Sequence, residues 1–306
     1  MKPAEFEERE YEAPLYNQLE RGSHLVWAPG QVFEGLIGVD HGIFSAEEWL
    51  FRLHGYPSHL PGAVLARYGW PRHWLHHRPD RLPTFRLNLF LQAKRSTWSR
   101  RPTKLLRAKG LSGLYWRFEI NPHQQLALGL VAAKLKRRAL VVYAAPAFHE
   151  HRVLHRHVIA GTLMQNSTFP SASSLSNHTA WNYAEPGAKG IANADPVEVN
   201  EPPLEVRIRD FVALERELAP QASDRRSWRQ ELKTLALDLR NALADEQPKE
   251  TSRLAAFADR VREIERETEG FVESEILAAY LTVLAFCEIY GLVWHVLGTG
   301  ESPAES

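Results

Sequence analysis

The chain of 306 residues contains one cysteine, two methionines and no excess of charge of either sign. A single thiol, Cys287, excludes an intramolecular disulfide framework, so we expect a reducing, cytoplasmic compartment. There are 37 lysines and arginines and 37 aspartates and glutamates. No overall electrostatic field therefore attracts nucleic acid, and any basic surface must be local.

Other absences in the sequence exclude further classes of function. The N-terminal residues contain no apolar signal region, and no glycine-rich phosphate loop is present, so ATP hydrolysis is not expected. The apolar stretch 276–297 is about as long as a membrane-spanning helix, but it contains Glu288 and His295. We therefore predict a buried or oligomer-interface helix there and no membrane partner.

The chain divides near residue 200. Apolar residues make up 44% of the sequence, which is enough for a sizeable core. Before the division, strand-length apolar runs alternate with turns, which favours an α/β domain over 1–200. After it, the segments 205–218, 227–243, 253–268 and 273–297 have helical periodicity. We predict a mixed α/β sheet followed by an all-α bundle over 204–300, with 186–203 as the linker.

Four elements of the first domain have clear sequence signals. The run 85–94 and the short run 114–120 read as strands, and the continuous apolar run 139–145 reads as a buried strand. The segment 122–137 starts with Pro122 and ends in lysines and arginines, which is typical of a helix. The order strand, helix, strand predicts a sheet with helices packed on it.

The tripeptide Gln92-Ala93-Lys94 ends the first of these strands. Side chains alternate along a strand, so Gln92 and Lys94 project from the face opposite Leu89, Leu91 and Ala93. A metal-assisted phosphodiesterase needs such a pair: an oxygen ligand for a hard cation, beside an ammonium that steadies a water or phosphate. The same spacing occurs in 231–233 and 247–249, so the interpretation depends on context.

Two acidic residues upstream are candidate partners of this pair. Glu34 lies in a predicted short helix and Asp40 in the turn that follows it. Asp40 would bind Mg²⁺ (or Mn²⁺) with Gln92 and the Ala93 carbonyl, and Glu34 would bind it through water or hold a second ion. Asp80 is the alternative to Asp40. The competing interpretation makes these residues ordinary helix, turn and strand-edge positions.

These residues carry a resemblance. The pattern Glu34, Asp40 and Gln92-Ala-Lys94, followed by a helix and a buried strand, resembles the PD-(D/E)xK, restriction-endonuclease-like nuclease superfamily in its Gln-x-Lys variant. The texts Trp27-Ala-Pro-Gly-Gln31, 88–95, 143–148 and 178–183 also resemble bacterial anti-phage defence nucleases. The resemblance covers roughly 20–200. It implies an αβββαβ core and metal-dependent DNA cleavage, with Glu34, Asp40, Gln92 and Lys94 as catalytic residues.

The segment 94–109 has seven cationic residues and no acidic one. It is interpreted either as a phosphate-binding loop beside the active site or as an ordinary solvated segment. The candidate DNA-binding residues are Arg95, Arg100, Arg101, Lys104, Arg107 and Lys109. No helix-turn-helix or other sequence-reading motif is present.

The remaining expectations concern partners and alternatives. Gln124 and Gln125 either hydrogen-bond near the metal site or cap the helix, and His178 is a weaker candidate for substrate contact. The helices over 204–300 are expected to form a homo-oligomer or to bind a regulatory or sensor protein. The alternatives to a DNA endonuclease are a catalytically degenerate nucleic-acid-binding or assembly subunit and a ribonuclease on the same fold.

Overall fold

The structure, a computed structural model, describes residues 1–19, 25–27, 42–44, 85–187, 189–218, 228–244, 251–270 and 274–298. Within these ranges it is a mixed α/β protein with helices at its C-terminal end. The helices are α1 (Glu8–Leu19), α2 (Lys104–Ala108), α3 (Pro122–Leu135), α4 (His151–Ala160), α5 (Leu204–Leu218), α6 (Trp228–Ala244), α7 (Thr251–Thr268) and α8 (Ser274–Tyr290). The strands are β1 (Lys2–Pro3), β2 (Leu25–Trp27), β3 (Gly42–Phe44), β4 (Phe85–Ala93), β5 (Thr97–Ser99), β6 (Tyr115–Glu119), β7 (Ala139–Pro146), β8 (Ser167–Thr168), β9 (Ala180–Tyr183), β10 (Lys189–Asn193), β11 (Val197–Asn200) and β12 (Val293–Gly298).

The strands form three sheets. A six-stranded sheet has the order β1-β5-β6-β9-β10-β11, and all its pairs are antiparallel. A four-stranded sheet has the order β12-β4-β7-β8, in which only β4 and β7 are parallel. Strands β2 and β3 form an antiparallel pair. The parallel pair β4–β7 needs a crossover connection, and α3 lies in it.

Strands β4 and β7 are the two inner strands of the four-stranded sheet, and both faces of this pair are covered. Leu89 and Leu91 pack in a core with α1 and α4, whereas Phe90 packs in a core with α3, α6, α7 and α8. Every residue of β7 is buried, which explains its uninterrupted apolar sequence. The predicted strands at 85–94, 114–120 and 139–145 are confirmed, with boundaries that differ by at most one residue.

Helix α3 begins where its sequence predicts. The Asn121 side chain caps it by accepting a hydrogen bond from the His123 backbone N–H at 3.1 Å, and Pro122 occupies the first turn. The helix ends at Leu135, and a short 3₁₀ segment over 136–138 leads into β7. The capping function therefore belongs to Asn121, which leaves Gln124 and Gln125 available for other contacts.

The region predicted to be entirely helical contains a strand. The predicted helix over 273–297 ends at Tyr290, and β12 then pairs antiparallel with β4. The prediction failed because Val293, Trp294 and Val296 suit either a buried helix or a strand, and only the tertiary pairing decides between them. The predicted division between 200 and 204 stays a prediction.

Helix α8 buries its apolar residues within the protein. Val283, Phe286 and Cys287 belong to the core that also contains Phe90. No helix in the described ranges is both long and apolar enough to cross a membrane.

Candidate functional site

The structure describes only part of the predicted catalytic set. Gln92 and Lys94 lie at the carboxyl end of β4, beside the parallel strand β7. Glu34, Asp40 and Asp80 lie outside the described residues. The described part of the candidate site consists of the carboxyl end of β4 and the elements that contact it.

Gln92 is the last polar side chain of β4 and is almost completely buried, with 2% of its surface exposed. Its Nε2 donates a hydrogen bond to the Tyr290 backbone carbonyl at 3.4 Å. Its Oε1 is buried and has no partner among the described residues. A buried acceptor without a hydrogen bond lowers the stability of the fold by about 1–3 kcal/mol. A ligand that binds this oxygen would recover part of that free energy.

Lys94 follows β4 directly and points to the same side as Gln92. Its backbone N–H donates to the Ala144 carbonyl at 2.8 Å, and its ammonium donates to the Gln124 Oε1 at 2.9 Å. Burial lowers the pKa of the Lys94 ammonium below its ordinary value. The carboxylates of Glu8 and Glu12 act in the opposite direction, and Arg253 adds to the lowering of the pKa.

Two acidic residues of α1 lie near this strand end, and neither was predicted from the sequence. Glu8 Oε2 accepts a hydrogen bond from the Arg95 backbone N–H at 2.9 Å, and Glu12 Oε1 accepts one from the Tyr16 hydroxyl at 2.7 Å. Burial raises the pKa of Glu12, while the Tyr16 hydroxyl lowers it. The spacing Glu8, Glu12, Tyr16 places all three on one helix face, and this was the available signal.

The two adjacent glutamines of α3 have different partners. Gln124 connects Lys94 to the end of α8, because its Nε2 donates to the Tyr290 carbonyl at 3.1 Å. Gln125 is buried, accepts from the Tyr143 hydroxyl at 2.7 Å and donates to the Ala172 carbonyl at 2.6 Å. Gln124 therefore belongs to the site, whereas Gln125 fixes α3 against β7.

The donor types around Lys94 fit a hard cation. Mg²⁺ prefers carboxylate, amide and backbone oxygens, and it retains several waters. The unpaired Gln92 Oε1 and the carboxylates of Glu8 and Glu12 are donors of this kind. Within the described ranges no cluster of three or more histidine, cysteine, aspartate or glutamate side chains is arranged to hold a metal. A metal site at this strand end would need ligands beyond these, and Asp40, Asp80 and Glu34 remain the predicted ones.

The basic segment after Lys94 is at the surface. Arg100, Arg101, Lys104, Arg107 and Lys109 are all exposed, and no carboxylate of the described part of the chain pairs with them. Arg95 differs, because its guanidinium donates to the Ala4 carbonyl at 2.6 Å. Five of the six predicted cations are thus exposed without an ion pair to a described carboxylate, and Arg95 holds the N-terminal segment.

His178 lies elsewhere. It lines a cavity of about 410 Å³ between α3 and residues 176–179, together with Gln125, Leu126 and Leu130. Neither Gln92 nor Lys94 contributes to this cavity.

Comparison of the chain with protein-family profiles, with curated proteins and with solved structures finds no match.

Proposed function

We propose that the protein is a metal-dependent endonuclease that hydrolyses phosphodiester bonds in DNA. The observation that carries the proposal is the arrangement at the end of β4. The Lys94 ammonium is hydrogen-bonded to a neutral amide, the nearby Gln92 oxygen has no partner among the described residues, and the carboxylates of Glu8 and Glu12 act electrostatically on Lys94. Phosphodiester hydrolysis needs oxygen ligands for a cation and a nearby cationic group, and this strand end contains both.

The residues divide into two roles. Gln92 and Asp40 (or Asp80) would hold the cation, with Glu34, Glu8 or Glu12 adding a carboxylate directly or through water. When bound, Mg²⁺ or Mn²⁺ would supply Lewis-acid stabilisation of the charge that develops on the phosphate oxygens. Lys94 would orient the attacking water or assist its deprotonation, and its lowered pKa suits this role.

The chain order supports membership of the PD-(D/E)xK superfamily. Helix α1 precedes the paired strands β2 and β3, β4 follows, and the connection from β4 to the parallel strand β7 contains β5, α2, β6 and α3. Helix α1, strand β4 and a crossover helix to a parallel strand follow the order that the resemblance implies, whereas among the described strands β2 and β3 form a sheet of their own and do not pair with β4. Strand β12 pairs with β4 on the side opposite β7, so the C-terminal region contributes a strand to the same sheet.

The exposed basic segment supports a nucleic-acid substrate. Arg100, Arg101 and Lys104 lie a few residues after Lys94, where they could contact phosphates on either side of the scissile bond. Such contacts carry no sequence information, so the proposed activity is not sequence-specific by itself. We propose a role as the effector of a bacterial defence or restriction system, controlled by oligomerisation or by a partner that binds the C-terminal helices.

The test is a nicking assay on supercoiled plasmid with purified protein. We expect Mg²⁺- or Mn²⁺-dependent conversion to nicked and linear forms, and complete loss of activity in EDTA. RNA and DNA of equal length, supplied in competition, distinguish a deoxyribonuclease from a ribonuclease. Binding of DNA without cleavage under all metal conditions would instead identify the protein as a degenerate binding or assembly subunit.

A further inference from the structure

A single backbone carbonyl at the end of α8 contacts both amide side chains of the site. The Tyr290 carbonyl accepts hydrogen bonds from the Nε2 atoms of Gln124 and Gln92, at 3.1 Å and 3.4 Å. The last four carbonyls of a helix have no partner within the helix, so this oxygen is available to side chains. The negative end of the α8 dipole also favours donor groups here.

The two contacts determine which end of each amide faces the site. An amide side chain has a donor nitrogen at one end and an acceptor oxygen at the other. With its nitrogen at Tyr290, Gln124 presents its oxygen to the Lys94 ammonium at 2.9 Å. Gln92 likewise keeps its oxygen without a partner in the described part of the chain. A rotated Gln124 would place an NH₂ group against the ammonium, and a rotated Gln92 would offer a donor where a cation needs an acceptor.

The turn after α8 is built to keep this carbonyl in place. Gly291 has a positive φ of 65°, and the Leu292 N–H donates to the Cys287 carbonyl at 2.8 Å, which is a glycine-terminated helix cap. A Cβ on Gly291 would lie 3.4 Å from Gln124 Nε2 and 3.8 Å from Gln92 Nε2. Two residues later, Val293 pairs with Leu91 of β4.

We propose that the Tyr290 carbonyl is the positioning group of the site. It holds Gln92 and Gln124 in the amide orientation that presents oxygen to the cation and to Lys94. This inference rests on the proposed function, because the benefit of the orientation is a metal ligand. It also gives the C-terminal helices a direct means of control: a partner that shifts the end of α8 changes the orientation of both amides.

The first test detects the orientation without metal or substrate. In the wild-type protein, the side-chain NH₂ protons of Gln92 and Gln124 should be protected from solvent exchange in NMR spectra. Gly291→Val should remove that protection. Gly161→Val is the matched control: Gly161 caps α4 with a φ of 64°, and a Cβ there would have no neighbour within 4 Å. If either valine variant lacks a native circular dichroism spectrum, the corresponding alanine pair replaces it.

The second test measures Mn²⁺ affinity by titration calorimetry. Gly291→Val should weaken binding about fivefold to tenfold, the worth of one hydrogen bond, and Gly161→Val should leave it unchanged. In a Gln92→Glu background the effect of Gly291→Val should fall below about twofold, because the two oxygens of a carboxylate are equivalent and need no orienting. A merely structural role for the turn would weaken Mn²⁺ binding equally in both backgrounds.

The outcomes separate the two proposals. Unprotected amides in the wild-type protein, or unchanged protection in Gly291→Val, overturn the positioning role even if Mn²⁺ binds. Tighter Mn²⁺ binding in Gly291→Val also overturns it, because the turn would then be blocking the ligand. Protected amides in a protein that binds no Mn²⁺ support the orientation and refute the metal site.

Discussion

The Lys94 ammonium donates its hydrogen bond to a neutral acceptor, the Gln124 side-chain oxygen, across 2.9 Å. A carboxylate at that position would neutralise the ammonium and raise its pKa. An amide holds the ammonium in position and leaves its charge available to an anion. The acidic residues Glu8 and Glu12 act on Lys94 electrostatically, and burial outweighs them, so the pKa of Lys94 is lowered.

Changing Gln124 should therefore change the pKa of Lys94 in a chosen direction. Gln124→Glu places an opposite charge beside the ammonium and should raise the pKa, whereas Gln124→Leu removes the acceptor and should lower it. The measurement is the pH titration of the lysine Cε resonances by NMR. The exposed Lys134 of α3 is the internal control and should not shift. Equal pKa values of Lys94 in both variants would contradict the proposed contact.

The acid limb of the pH–rate profile should depend on Tyr16. The Tyr16 hydroxyl donates to Glu12 at 2.7 Å and lowers the pKa of that carboxyl against the effect of burial. Tyr16→Phe removes this hydrogen bond, so the pKa of Glu12 rises further, and cleavage should require a higher pH. Tyr11→Phe on the same helix is the control, because Tyr11 donates to Ser167 instead. An unshifted acid limb in Tyr16→Phe would exclude Glu12 from the reaction.

The Glu12 carboxyl should make the stability of the metal-free protein depend on pH. The folded-state pKa of Glu12 is raised above its ordinary value. Its contribution to stability is therefore complete below the ordinary carboxyl pKa and is lost as the pH rises through the raised pKa. Chemical denaturation across this range should show the unfolding free energy falling with pH in the wild-type protein and falling less in Glu12→Gln.

Much of the α/β region could be predicted from local patterns. The uninterrupted apolar run of β7 and the Pro122 start of α3 depend on neighbouring residues only, and both were predicted correctly. Strand β12 could not be predicted, since its pairing with β4 joins residues about two hundred positions apart in the chain. Glu8 and Glu12 were missed as site members for the same reason, because both approach Lys94 through tertiary packing, whereas a contact near the metal site was one of the two alternatives predicted for Gln124 at the start of α3.

The basic segment should set the salt dependence of DNA binding. Arg100→Ala/Arg101→Ala removes two exposed cations, so the slope of log affinity against log salt should become shallower by about 1.8, or about 0.9 per phosphate contact. The charge-matched control is Lys134→Ala/Arg137→Ala, which removes two exposed cations outside the basic segment, where α3 leads into β7. Fluorescence anisotropy over a salt series measures both slopes, and equal slopes would remove the segment from the interface.

Replacement of two glycines by alanine should change the stability of the protein in opposite directions. A Cβ at Gly190 of β10 would lie 2.5 Å from the Asn182 carbonyl and from the buried Trp181 ring, so Gly190→Ala should destabilise the protein by about 2 kcal/mol. Gly129 lies within α3, and a Cβ there would have no neighbour within 4 Å, so Gly129→Ala should stabilise it by about 1 kcal/mol. Urea denaturation measures both changes. A stable Gly190→Ala protein would contradict the packing of β9 against β10.

The role of Lys94 in metal-dependent DNA cleavage is tested most directly by single-turnover plasmid cleavage at saturating Mg²⁺, with the wild-type protein and with Lys94→Met. We expect cleavage by the wild type and at least a hundredfold loss, about 3 kcal/mol, in Lys94→Met. Lys134→Met, a surface control on α3, should cleave normally. Undiminished cleavage by a folded Lys94→Met protein, or no Mg²⁺- or Mn²⁺-dependent cleavage by the wild type, would contradict this role.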